Sequence, residues 1–377
     1  MRIGIDASRY RHPAPTGVEV YSDEIIDGLL AIAHRERHHD LILYTPKLLP
    51  PPKAGGGIAR HEQRLLLARR LWTQVALSRE IRASPPNVLF VPSHVLPRLP
   101  SPKPHHSPVR AITTIHDVVF KRFPKAYSLA QRLYLDFTTR YAVKKALILI
   151  VPSCATAQDL VEFYRCPAHK IRVIPHGLKP LELPRSSQEQ RRLLRRFGLH
   201  RNDPYFLFIG RLETKKNLVR LLEAFERFRK THPGWQLMLA GGRGIGFQDL
   251  WKRLGKENLM NYVLMPGYLT EAEKAVLLVH ARAFVFPSLA EGFGLPILEA
   301  ASAGILILAS DIPAHRELTP LIDVLVDPLD VEALTDGLAQ LASPRSSTPS
   351  TRKAMFLKQY KWSRAARAVW EILTTPQ

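Results

Sequence analysis

Apolar residues in this chain fall in short runs that end in Ser, Asp, Gly or Pro, and amphipathic stretches separate the runs. In the first half the runs are RIGIDAS, LILYT, NVLFVPS, AITTIHD, LILIVPS and KIRVIPHG. The second half carries YFLFIG, WQLMLAG, NYVLMPG, AFVFPS, ILILAS and DVLVDP. Each run is apolar throughout, without alternation, as expected of strands covered on both faces of a parallel sheet. Between them the period lengthens to that of helices, as in about Val18 to His34, NLVRLLEAFERFRK and TEAEKAVLLVHA. The pattern predicts two doubly wound units. It fails from Gly177 to about Pro204, a proline- and arginine-rich stretch read as a linker with one short entry helix. The boundaries expected are 1–177 for the first domain, 178–203 for the linker and 204–358 for the second domain. A last helix, about Ser363 to Leu373 within 359–377, is expected to pack back toward the first domain. PKLLPPPKAGGG and SPRSSTPSTR read as surface loops.

In doubly wound sheets ligands bind outside the carboxyl ends of the strands, so motifs that follow strands carry the chemistry. EGFGLPILEA (Glu291–Ala300) follows AFVFPS and opens a helix, with Pro296 in its first turn. The N–H groups around Gly294 and Leu295 form an anion site. Glu291 and Glu299 flank it, and carboxylates accept hydrogen bonds from sugar hydroxyls far better than they tolerate phosphate. A ligand with a diphosphate in the middle and a sugar at each end, a nucleotide sugar, fits that layout. The alternative is that Glu299 complements the helix dipole and Glu291 is a solvated loop charge. FIGRLETKKNL (Phe208–Leu218) follows the first strand of the second half and sets Arg211 and Lys216 at a helix entry, where basic charge is unfavourable unless an anion is bound.

These motifs resemble the retaining glycosyltransferases of family 4, and the resemblance covers nearly the whole chain. It implies an α/β chain of the GT-B class, two Rossmann-like domains facing a central cleft. It assigns Glu291 to hydroxyls of the donor sugar, Glu299 to the ribose, and Arg211 and Lys216 to the diphosphate. Gly210, Gly292, Phe293, Gly294 and Leu295 then contact the donor. TTIHDVVFKRFP (Thr113–Pro124) sets His116 beside the donor sugar with Asp117, in wording closest to the mannosyltransferase-like subgroup. PTGVEVY matches the glycine loop that opens the first helix at Gly17, although Glu19 stands where relatives often carry a second glycine. MPGYLTEAE matches the region that meets the nucleotide base, where Tyr268 packs near the base or contributes only backbone groups, and Gly177 falls near the hinge. AGGRG (Ala240–Gly244) is a phosphate loop or a plain turn. The family implies a metal-independent hexosyl transfer without a cofactor, the nucleotide sugar being a co-substrate. The leading candidate is a hexose, mannose from GDP-mannose, passed to a glycan or lipid-linked saccharide in cell-surface polysaccharide synthesis, and the alternative is a UDP-hexose transferase with another acceptor. A catalytically silent nucleotide- or nucleic-acid-binding protein on the same fold is the competing class.

Composition changes this picture in one respect. Lys and Arg number 54 against 33 Asp and Glu in 377 residues, a formal charge of +21. Such a field favours polyanions or anionic membranes, or reflects a basic proteome. No zinc finger or aromatic RNA-binding signature accompanies it, so nucleic acid is not the expected partner. RHEQRLLLARRLWTQVALSREIRA (Arg60–Ala83) is expected to be an amphipathic helix, either facing anionic lipid or packed on the core. No apolar run of bilayer-spanning length is present. The N-terminus reads as a strand, and two cysteines (Cys154, Cys166) without ligand spacing suit a reducing cytoplasm.

Overall fold

The computed structural model describes residues 1–13, 15–49, 61–68, 71–101, 108–200, 203–256, 259–343 and 351–375. Most of the loops expected at PKLLPPPKAGGG and SPRSSTPSTR lies outside the described residues. The chain divides into two compact units. The first comprises Met1–Val118, Leu129–Gly177 and Tyr360–Gln377, and the second Val119–Ser128 and Leu178–Gln359.

The first unit holds strands β1 (Arg2–Asp6), β2 (Asp40–Thr45), β3 (His61–Leu65), β4 (Val88–Val91), β5 (Arg110–Thr114), β6 (Ile148–Val151) and β7 (Ile171–Val173). They form one parallel sheet in the order β3-β2-β1-β4-β5-β6-β7. Its helices are α1 (Gly17–Glu36), α2 (Ser78–Ala83), α4 (Leu129–Lys145), α5 (Cys154–Tyr164) and the C-terminal α14 (Trp362–Thr374). The short α3 (Val119–Arg122) belongs to the second unit. There α6 (Ser187–Arg196) precedes strands β8 (Tyr205–Ile209), β9 (Gln236–Ala240), β10 (Val263–Gly267), β11 (Ala283–Phe286), β12 (Leu306–Ser310) and β13 (Val324–Val326). The sheet order is β10-β9-β8-β11-β12-β13. Helices α7 (Leu218–Arg229), α8 (Phe247–Lys256), α9 (Glu271–His280), α10 (Leu295–Ser302), α11 (Pro313–Arg316), α12 (Val331–Ala342) and α13 (Thr351–Leu357) complete it.

The central strands are buried on both faces, as their unbroken apolar runs require. The strand missed by hydrophobic pattern is β3, HEQRL, which is largely polar and adds to the sheet edge beside β2. An edge strand needs backbone hydrogen bonds more than apolar side chains, so periodicity does not reveal it. This overturns the helix expected over Arg60–Ala83. From β3 the chain passes Leu71 in the left-handed region (φ 53°), then a π-turn at Thr73–Leu77, and becomes α-helical only in α2. The Trp72 indole N–H donates to the Leu66 carbonyl at 2.7 Å.

Helix α14 lies along α1. Trp370 donates to Glu36 Oε2 at 2.7 Å, and Arg367 pairs with the same carboxylate at 2.5 Å. Gly28 in α1 admits Ala366, since a Cβ there would stand 2.4 Å from the alanine methyl. Gly28→Ala should therefore lower the unfolding free energy. Overpacking costs about 1–3 kcal/mol, against a gain in helix propensity of about 1 kcal/mol. The net loss is readable in urea unfolding, and unchanged or increased stability would show that the two helices yield to each other freely.

Candidate active site

Strands β8 and β11 are neighbours, so the loops at their carboxyl ends meet. The β8 loop carries Gly210, Arg211 and a 3-10 turn, Thr214–Lys216. Asn217 closes it in the left-handed conformation (φ 60°), with its side-chain amide on the Pro328 carbonyl at 2.6 Å. The Leu289 N–H donates to the Lys215 carbonyl at 2.8 Å and ties the β11 loop to this turn. Between the two loops Lys216 Nζ and Glu291 Oε1 form an ion pair, with both side chains only 11% exposed. Lys216 Nζ also stands 4.9 Å from the centre of the Phe286 ring, a cation–π contact. Burial pushes the Glu291 carboxyl up, yet Lys216 and Lys215 outweigh burial and hold it below its ordinary value.

Gly294, at φ 119°, is the N-cap of α10, with Pro296 in the first turn. A side chain is disfavoured at that backbone angle, so glycine is required there. Gly292, Phe293 and Gly294 are buried, and Leu295 is partly exposed. One turn on, Glu299 Oε1 accepts from Lys274 Nζ at 2.7 Å, and Lys274 also reaches Glu271 at 2.9 Å. Burial lowers the Lys274 pKa, but Glu299 and Glu271 together carry it above its ordinary value. Lys274 escaped the sequence reading. The signal available was that a half-buried glutamate at a helix start calls for a cation, and Lys274 is the lysine of the TEAEK stretch.

Arg211 is exposed, its stem lying across Gly244, where a Cβ would come within 2.9 Å of it. The AGGRG stretch serves this packing. A Cβ at Gly241 would fall 2.0 Å from the Gly210 carbonyl oxygen; the Leu212 N–H donates to the Gly242 carbonyl at 2.8 Å and the Gly244 N–H to the Leu212 carbonyl at 2.9 Å. Its glycines let the β9 loop lie directly against the loop of Arg211 and Lys216. A cavity of about 450 Å³ opens beside them, lined by Leu212, Arg243, Phe247, Met265 and Gly267 among others. Tyr268, the next residue, is 51% exposed. His315, at 0% exposure, was also missed. Its Nδ1 lies 3.0 Å from the Ser310 carbonyl, and its ring centre is 5.5 Å from that of Phe286. Burial pushes its pKa down to about 4, so the ring is neutral.

The first unit holds Gly17, His116 and Asp117. Gly17 opens α1 behind Thr16, and Glu19, the departure noted above, has a local purpose. Its carboxylate accepts from the Thr16 N–H at 3.0 Å as a capping box and pairs with Arg9 at 3.0 Å. His116 lies two residues past β5, partly exposed, with Nε2 2.9 Å from the Pro92 carbonyl. A carbonyl can only accept, so Nε2 carries the proton. Burial lowers the His116 pKa, which leaves Nδ1 as an acceptor in the neutral ring.

Two family models cover the chain, "Glycosyltransferase Family 4" over residues 15–180 and "Glycosyl transferases group 1" over residues 189–361. The chain belongs to glycosyltransferase family 4. It is 28% identical over 260 residues to O-antigen chain mannosyltransferase B of Escherichia coli, covering 68% of each chain. It is also 25% identical over 358 residues to a glycogen synthase of Mycobacterium tuberculosis, covering 93% of this chain and 81% of the relative. Among solved structures, Anabaena HepE in complex with UDP and glucose superposes with a TM-score of 0.71 at 16% identity, over 99% of each chain. That likeness is one of fold, and the fold of this glycosyltransferase is GT-B.

The Lys216–Glu291 pair can be tested without substrate. Removing one partner of a buried pair strands the other charge, at a cost of about 3 kcal/mol. Lys216→Met and Glu291→Gln should each lose about that much stability, and the double variant about as much as one single. Additive losses in urea unfolding would mean that the two side chains do not interact.

Proposed function

We propose that this family 4 enzyme transfers a hexose, mannose from GDP-mannose, with retention of configuration to a glycan or glycolipid acceptor of cell-surface polysaccharide. The observation that carries this reading is the cluster at the start of α10: the Lys216–Glu291 pair, the glycine N-cap and Glu299 held by Lys274. The cations and the free N–H groups suit a diphosphate, and the two carboxylates suit hydroxyls on its two sides. The mannosyltransferase of E. coli, at 68% coverage, supports the sugar. The glycogen synthase and the UDP complex of HepE favour a second reading, a glucosyl transfer from another nucleotide.

As the bond between the anomeric carbon and the phosphate oxygen breaks, negative charge grows on the leaving diphosphate. Arg211, Lys216 and the α10 N-terminus stabilise it in place of a metal ion. The acceptor hydroxyl attacks from the leaving-group face and its proton passes to the departing phosphate oxygen, so no protein base is assigned. His116 accepts a hydrogen bond from the donor sugar through Nδ1. Calorimetry with GDP, UDP and ADP in metal-free buffer tests the reading. GDP is expected to bind most tightly, and Lys216→Ala to abolish that binding. Preference for UDP or ADP selects the second reading, and no binding by the folded protein overturns both.

The basic charge fits peripheral attachment to an anionic membrane. Among the described residues no helix is long and apolar enough to cross one. The surface suited to attachment is on α4 rather than Arg60–Ala83. Leu129, Leu133 and Phe137, 66%, 63% and 68% exposed, recur every fourth residue and share one helix face. Arg140 and Lys144 continue that face, an apolar stripe running into a basic one. The protein should sediment with phosphatidylglycerol vesicles and release in high salt. Leu133→Asp with Phe137→Asp should abolish sedimentation; retention by this variant would remove α4 from the proposal.

A further inference from the structure

The C-terminal helix begins at a ring cluster that leads to His116. Trp362, the first residue of α14, stacks on His176, with ring centres 5.7 Å apart and planes at 26°. His176 stands 5.6 Å from His116 and 5.0 Å from Tyr21. Tyr21 meets His116 edge-on at 4.9 Å and is itself fixed by a 2.9 Å hydrogen bond between its hydroxyl and Thr114 Oγ1. Tyr21, His176 and Trp362 are all buried.

Two features set this apart from ordinary core packing. An apolar core at this place would be filled by Leu or Phe, whereas burying imidazoles has a desolvation cost. Gly177 then brings the tryptophan in as closely as a chain allows, since a Cβ there would lie 2.2 Å from the Trp362 backbone nitrogen. Gly177, expected near a hinge, is a docking point for α14. The indole N–H is buried without a hydrogen-bond partner, so packing against the rings and Gly177 holds the indole.

We propose that Trp362 is a positioning residue for His116, acting through His176 and Tyr21. The Pro92 carbonyl fixes one point of the His116 imidazole, Nε2, and leaves the ring free to turn about that bond. The ring cluster removes this freedom and aims Nδ1. Trp362 thereby supports the site of the first unit, although it is remote from His116 in sequence. The inference rests on the proposed role of His116 at the donor sugar.

The experiment compares Trp362→Leu, Trp362→Phe, His176→Leu and a stability control, Ala366→Leu, which disturbs α14 against α1 away from the rings. Trp362→Leu and His176→Leu should each lower kcat about tenfold with little change in KM for the nucleotide sugar. Trp362→Phe, which keeps a stacking ring, should restore most of it. Ala366→Leu should lower stability and leave kcat per folded molecule unchanged. The second readout is the NMR titration of the His116 ring, assigned with His116→Gln. The groups facing that ring are Asp117, Glu19, His94 and His176. Burial holds its pKa down, so in Trp362→Leu the midpoint should move up toward the ordinary histidine value. Unchanged kcat and an unchanged titration in folded Trp362→Leu and His176→Leu would overturn the proposal. Full activity in His116→Gln would instead remove the assumed role of His116, and the titration would still decide whether Trp362 positions its ring.

Discussion

The second unit is organised around one buried ion pair. Lys216 and Glu291 come from loops at the carboxyl ends of adjacent parallel strands, and neither charge is tolerable there alone. The pair therefore dictates much around it. The β8 loop must turn tightly enough to present Lys216, which the left-handed Asn217 achieves, and the β9 loop must support it from behind, which Gly241 and Gly244 allow. The β11 loop must return to the same point, held by the bond from Leu289 to Lys215.

The same device recurs one helical turn away, where Lys274 holds Glu299. Each carboxylate of EGFGLPILEA thus has its own lysine, which holds it in place. For the transfer proposed above, such preorganisation would count for more than the stability of either pair, because fixed groups need no reorganisation as charge develops. A diphosphate entering beside Gly294 would share Lys216 with Glu291 without unpairing it, since an ammonium has three donors.

Much of this was readable from the chain. The central strands announced themselves because a strand covered on both faces must be apolar at every position, and EGFGLPILEA because a glycine N-cap, an early proline and a helix leave few alternatives. The edge strand β3 was hidden, since its stability lies in backbone bonds to β2 that any side chains permit. The helix expected over Arg60–Ala83 failed for the same reason, local periodicity losing to an open sheet edge and to a left-handed turn at Leu71. Glu19 looked like damage to a glycine loop, and its true partner, Thr16, was three residues away in a capping box.

The sequence by itself determined the alternation of strand and helix, the two-unit plan and the residue types gathered at the start of α10, because these follow from local pattern and from motifs that sit within a few residues of one another. Tertiary structure alone decided the partners. That Lys216 neutralises Glu291, that Lys274 holds Glu299 and that Trp362 stands two rings from His116 depend on which strands lie side by side and on how closely glycines let backbones approach. Those are contacts between residues 25 to 186 positions apart. No local period records such distances, because the free energy that selects them comes from burial shared by the whole unit.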